Sequence, residues 1–159
     1  MHETERIADQ LQRMWNGDAW HGPSVHAALE GVDATMALDR PLPAGHTICE
    51  LVLHMTAWTR EATRRLRTGV AGEPEDGDWQ AQRDLNEAAW RELIATFDAA
   101  NEELLAALAA VDDAQLSTAM EDARPGASSG MSAYITLHGL VQHHAYHAGQ
   151  ISLLKKAAG

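Results

Sequence analysis

Apolar residues recur every three or four positions along most of this chain, and they resolve into four long runs. Ile7, Leu11, Met14 and Trp15 form the first, which stops at Asn16-Gly17. Gly22-Pro23 then opens a short helical piece, with proline where a missing N–H does no harm and Gly31 as its stop. A loop follows through Pro41-Leu42-Pro43-Ala44-Gly45. Thr47 and Glu50 make a capping box directly before the series Ile48, Leu51, Val52, Met55, Trp58, Ala62 and Leu66, which Gly69 closes. The stretch Val70 to Gly77 reads as an acidic, glycine-bearing loop. Asp78 is the predicted N-cap of a third long helix carrying Leu85, Ala89, Leu93, Phe97, Ala100, Leu104, Leu108 and Val111. Asp112 to Gly130, with Pro125-Gly126 and Ser128-Ser129, reads as a long connection, and a fourth helix runs from about Met131 to Lys156.

No segment sustains the alternation of a strand, and no repeat or low-complexity tract appears. The predicted fold class is therefore all-α, a four-helix bundle with long connections, in a single domain over residues 1–159.

Composition narrows the partners. The apolar fraction is 45% against 22% charged, which suits a packed domain rather than a disordered one. A net charge of -11 would repel nucleic-acid phosphates and anionic membrane surfaces, so neither is an expected partner. Cys49 stands alone, so an internal disulfide and a sulfur-rich zinc cluster are both excluded, and it reads as a small buried residue. No apolar run reaches bilayer-spanning length and the first residues lack the regions of a secretion signal, so the expected location is cytoplasmic.

The chemistry lies in the histidines. The fourth helix contains His143-His144-Ala145-Tyr146-His147-Ala148-Gly149-Gln150. Residues four apart share a helical face, so His143 and His147 can aim two imidazoles at one point. Two such rings buried without polar partners would cost about 1–3 kcal/mol each, whereas a transition-metal ion would satisfy both. His144 is three residues before His147, and spacing alone leaves it open as the alternative to His143, the preferred partner. Bundle metal sites draw ligands from facing helices. His54, on the same face as Leu51 and Trp58, is the predicted third ligand. His2, His21, His26, His46 and His138 read as terminal, surface, second-sphere or packing residues. Three histidines without a strong fourth ligand leave an open coordination position, as catalytic metal sites do. A divalent transition metal is expected, Zn or Ni first and Fe also compatible, because imidazole does not separate them.

Other chemistries find no support. In the zinc-peptidase motif H-E-x-x-H the glutamate is the base, but here the residue after His143 is His144 and the one after His144 is Ala145. There is no G-x-S-x-G elbow and no phosphate-binding glycine loop. The pairs Glu102-Glu103 and Asp112-Asp113 read as solvated helix faces or termini.

Three segments of this sequence resemble the DinB-like (DinB/YfiT-like) metalloenzyme family, over nearly the whole chain. They are Trp20-His21-Gly22-Pro23-Ser24, then Gly45-His46-Thr47-Ile48 with Glu50-Leu51-Val52-Leu53-His54, and the terminal H-x-x-x-H-x-G-Q of His143, His147, Gly149 and Gln150. The resemblance implies a four-helix bundle, a metal held by His54, His143 and His147 near one end, and homodimerisation. One departure is plain: many relatives carry arginine before the Gly-Gln pair, where this chain has Ala148.

Characterised relatives in that superfamily include S-transferases and isomerases that use low-molecular-weight thiols. The leading expectation is thus a metal-dependent thiol S-transferase acting on a small-molecule electrophile, with a thiol cosubstrate at the open position. No catalytic side chain is assigned. Gln150 lies on the ligand face, where it could orient a histidine or bind substrate; Trp58 could wall the pocket; His144 stands in reserve near the site. Gly149 is expected to admit a neighbouring helix or ligand. The alternatives are a non-catalytic dimeric bundle that binds a metal or stress ligand, and a metal-dependent hydrolase. The hydrolase needs a carboxylate base, for which Glu50 is the nearest candidate, though its capping box accounts for it.

Overall fold

A computed structural model describes residues 2–82, 84–124, 126 and 130–158 of the chain. Four long helices build the body: α1 (Glu3–Trp15), α4 (Ile48–Thr68), α5 (Glu87–Ala109) and α7 (Ala133–Ala158). Between them lie the short helices α2 (Val25–Leu29), α3 (Ala34–Leu38) and α6 (Asp113–Leu116), and two two-residue strands, β1 (Val70–Ala71) and β2 (Glu121–Asp122). α4 packs on α5 and α7, and α1 packs on the same two helices, which closes the bundle. The all-α four-helix architecture expected from the sequence is the one found.

Each long helix buries the stripe its sequence marks. Ile7, Leu11, Met14 and Trp15 are the buried face of α1. Its N-terminus is held from outside: the backbone N–H groups of Glu3 and Thr4 donate to the Asp113 carboxylate at 3.2 Å each. In α4 the capping box forms as predicted, with Glu50 N–H donating to Thr47 Oγ1 at 3.1 Å and Thr47 N–H to Glu50 Oε2 at 3.0 Å. Gly69 ends α4 in the left-handed region at φ 69°, a conformation that favours glycine. On α7 the buried positions Ala133, Leu137, Leu140, His144, His147, Ile151 and Leu154 step by four and three, so two histidines occupy core positions of the bundle.

Several expectations about boundaries change. α5 begins at Glu87 rather than after Asp78; its N-cap is Asn86, whose Oδ1 accepts from Ala89 N–H at 2.9 Å. Asp78 is engaged elsewhere, as described below. The loop expected after Gly31 contains α3, capped by Asp33 Oδ1 accepting from Met36 N–H at 2.8 Å. The long connection after α5 holds α6 and β2; Pro125 and the two serines Ser128 and Ser129, read as part of its turn, lie outside the described residues. β1 and β2 pair in parallel, Val70 opposite Glu121, and tie the end of α4 to the segment entering α7.

One core runs through all four long helices, with Phe97, Met55, Leu137 and Ile151 fully enclosed. Cys49 is buried in it, and burial, followed by the nearby Glu50 carboxylate, pushes its thiol up to about 11. Among the described residues no helix is long and apolar enough to cross a membrane.

Candidate metal centre

His54 projects from the second turn of α4, and His143 and His147 project from the middle of α7, the helix packed against it. The three rings meet. His54 Nε2 lies 2.8 Å from His143 Nε2, which lies 3.0 Å from His147 Nε2. The His54 and His147 rings are nearly perpendicular, at 85°, and His143 and His147 cross at 88°, so three ring edges converge on one point from different directions. His54 and His147 are buried at 5% and 4% exposure.

Hydrogen bonding on the far side of two rings settles where their lone pairs point. His54 Nδ1–H donates to the Asp78 carbonyl at 2.6 Å, and His147 Nδ1–H donates to Gln150 Oε1 at 2.6 Å. In the neutral form of these rings, which burial favours, Nε2 is therefore bare. A single proton on His143 could satisfy only one of these neighbours. If that proton sits on Nε2, the buried Nδ1 is a bare acceptor, and among the described residues it has no hydrogen-bond partner in either tautomer. Adding a charge is no remedy. Burial, and then the neighbouring His147 and His54, push His143 down to about 4, and burial also lowers His54 and His147.

A divalent cation fits this donor set. Imidazole nitrogens at the roughly 2.0–2.1 Å of a Zn–N bond in tetrahedral geometry stand about 3.3 Å apart; two of the pairs here are 2.8 and 3.0 Å apart, and all three ligand atoms lie within 4.8 Å of one another. The group His54, His143 and His147 is one that could hold a metal ion. The Asp78 carbonyl and Gln150 amide then act as the outer partners that fix ring orientation in such sites.

The surroundings come from a loop that sequence reasoning assigned to a helix start. Asp78 Oδ1 accepts from the Trp58 indole N–H at 2.8 Å, and Trp79 lies flat on His54, with ring centroids 3.8 Å apart and planes 2° apart. His46 stacks on the other face of Trp79 at 3.5 Å and 1°. The sequence holds a faint signal for this: Trp79 is a large aromatic next to an acidic loop with no helical period to place it.

The remaining histidines separate cleanly. His144 is fully buried beside Phe97 on the core side of α7, with Nε2 3.4 Å from Thr59 Oγ1, so it is a packing residue and His143 partners His147. His26 Nε2 contacts Asp98 Oδ1 at 2.6 Å, and the Trp15 indole donates to the same oxygen at 2.8 Å. His2 contacts Asp113, His21 is exposed, and His138 lies against Tyr134 with its Nε2 unpartnered among the described residues. Glu50 is fully accounted for by Thr47, His46 and Arg40, which removes it as a base. A Cβ built on Gly149 meets nothing within 4 Å, so no close contact among the described residues requires glycine there.

Beside the histidines a cavity of about 400 Å³ runs between α4 and α7. Trp58, Ala62, Ile135 and Leu140 line it together with His54 and His143. Arg65 closes one wall, its Nε donating to the buried Glu61 at 2.8 Å. Burial raises the Glu61 carboxyl, but hydrogen bonds from Arg64 and Arg65 outweigh this and hold it below its ordinary value.

No curated protein and no solved structure matches the chain. A family profile described as the DinB superfamily matches residues 19–151, from before α2 to the last turns of α7. That span takes in the three converging histidines and their outer partners, and it covers most of the chain: the protein belongs to the DinB superfamily.

Proposed function

We propose that this protein is a metal-dependent enzyme that joins a low-molecular-weight thiol to a small electrophile. The observation that carries the reading is the convergence of three imidazole Nε2 atoms beside an apolar cavity, with the outer nitrogens of His54 and His147 committed to Asp78 and Gln150. A divalent transition metal, Zn or Ni first and Fe also compatible, would supply Lewis acidity there and lower the pKa of a coordinated thiol.

The protein's own residues do the rest. His54, His143 and His147 hold the ion and leave a coordination position open. Asp78 and Gln150 keep two of these rings in the ligating tautomer. Trp58, Ile135 and Leu140 exclude water from the side where the electrophile rests. The thiol sulfur forms a bond to the electrophilic carbon, the leaving group departs with the bonding pair, and the thiol proton passes to solvent.

The test begins with the metal content of tag-free protein beside His54→Ala and His147→Ala, read by mass spectrometry. Near-stoichiometric metal in the wild type that vanishes in both variants is expected. The loaded protein is then assayed with a panel of low-molecular-weight thiols and 1-chloro-2,4-dinitrobenzene, where turnover that depends on His143 is expected. Failure to take up Zn or Ni would overturn the reading. Metal uptake without thiol consumption would leave a non-catalytic metal-binding bundle.

A metal-dependent hydrolase is favoured by one observation only: Asp78 brings a carboxylate to the cavity. One of its oxygens is taken by the Trp58 indole. Ester hydrolysis by the loaded protein that falls in Asp78→Asn would select that reading.

A further inference from the structure

Gly139 sits in the interior of α7, one turn before His143, and lines the cavity beside the three histidines. Nothing in the backbone asks for glycine there. Its φ is not positive, and a Cβ built on it meets no atom within 4 Å. Glycine weakens a helix interior, so this position gives up helix stability with no packing contact to explain it. What the missing side chain does preserve is empty space next to His143.

The walls of that space specify its occupant. Trp58, Ala62, Met131, Ile135 and Leu140 are apolar. The charged groups at its edge are one acid and one base, Asp78 and Arg65, and Arg65 is already paired with Glu61. With Arg65 committed to Glu61 and one Asp78 oxygen to the Trp58 indole N–H, neither group is held ready to pair with a charged ligand. Thr136, also in the wall and 8% exposed, has a hydroxyl without a hydrogen-bond partner among the described residues. A volume of about 400 Å³ falls at the small-ligand end of the roughly 300–1,000 Å³ range of binding pockets.

We infer that this cavity is a binding site for a neutral aromatic molecule of one or two rings carrying a single hydroxyl or carbonyl group, and that Gly139 is the residue that keeps it open. The ring lies against Trp58 and Leu140, and its polar group meets Thr136. The inference rests on the preceding section in one respect: it takes this ring and polar group to be those of the electrophilic substrate, which carries its leaving group in addition. Occupancy of the cavity does not require the ion.

The experiment therefore uses metal-free and Zn-loaded full-length protein, with 2-naphthol as the probe. Saturable binding by calorimetry is expected in both forms, with nuclear Overhauser contacts from the naphthol ring to the methyl groups of Ile135 and Leu140. Gly139→Leu should lose about tenfold or more in affinity while keeping its helicity and metal content, because the new side chain enters space the probe needs. Gly139→Ala, whose methyl group meets no neighbour, should melt no lower than wild type and bind several-fold more weakly. Absence of saturable binding, ring contacts that fall elsewhere, or unchanged affinity in Gly139→Leu would each overturn the inference. If Gly139→Leu does not fold, the wild-type ring contacts and Gly139→Ala decide. A protein that takes naphthol but no metal refutes the thiol-transfer reading and leaves the cavity assignment standing; one that takes metal but no naphthol does the reverse.

Discussion

Gln150 offers the sharpest test of the proposed metal centre, because it touches one of the three converging histidines without being one of them. Its Oε1 accepts the Nδ1–H of His147 at 2.6 Å and so fixes which nitrogen of that ring is bare. In Gln150→Ala the ring keeps its place in the core but loses that constraint, and outer partners of this kind typically contribute 10–100-fold to metal affinity. That range corresponds to about 1.4–2.7 kcal/mol. Because bound metal stabilises only the folded chain, the same loss appears in the melting temperature of the metal-loaded protein. At about 2–4 °C per kcal/mol for a chain of this size, the metal-dependent part of the melting temperature should fall by roughly 3–11 °C.

The assay is competition for Zn against a chromophoric chelator, paired with melts of loaded and metal-free protein. A plain structural role predicts a different pattern. Losing one ordinary hydrogen bond would cost about 0.5–1.5 kcal/mol in both forms and leave the metal affinity alone. Should Gln150→Ala bind Zn within twofold of wild type, the tautomer argument for the site is wrong.

Three further outcomes follow from the same geometry. His143 is pushed down to about 4 in the fold and titrates near 6.5 when unfolded, so between these values the unfolded chain binds more protons. The contribution of this residue to the stability of metal-free protein should therefore be lost as pH falls from about 6.5 to about 4, by up to roughly 3 kcal/mol, and urea titrations at pH 7 and pH 4.5 should show a smaller loss in His143→Gln. Trp79→Ala removes the ring stacked on His54 and should weaken metal binding several-fold with unchanged helicity, which circular dichroism and the chelator assay check together. The homodimer expected from the resemblance has a candidate surface in Tyr146 and Leu153, seven residues apart on α7 and exposed at 64% and 66%. Leu153→Glu should shift the mass measured by light scattering from dimer to monomer, and a wild type that is monomeric at high concentration would remove the dimer.

Legibility in the sequence tracked how many residues each feature spreads over. α4 was readable at both ends because its start is a reciprocal pair, Thr47 with Glu50, and its stop is a glycine in the left-handed region. α3 was missed because five residues hold too little of a period to detect, although Asp33 marks its start. The strands were invisible for the same reason, since two residues cannot alternate. Asp78 was misplaced by a rule that is sound but degenerate: aspartate and asparagine cap helices about equally well, and here Asn86 caps α5 while Asp78 serves His54 and Trp58.

The same distinction divides the candidate site. His54, His143 and His147 could be found because α-helical geometry converts spacing into direction, and Gln150 follows from His147 by the same conversion. Direction alone did not separate His143 from His144, since both positions share a face with His147. Burial separates them: His144 occupies a core position between α7 and α5 against Phe97, while His143 sits on the flank that faces α4 and the cavity. Asp78 and Trp79 reach the site through a loop, where no period links sequence distance to orientation, so their roles follow only from where the chain runs. The three converging histidines are thus set by helix geometry, whereas part of what aims them is set by tertiary structure. Substitution in the loop should accordingly leave the bundle intact and change metal affinity alone, which makes Trp79→Ala the variant that tells support of the ion apart from support of the fold.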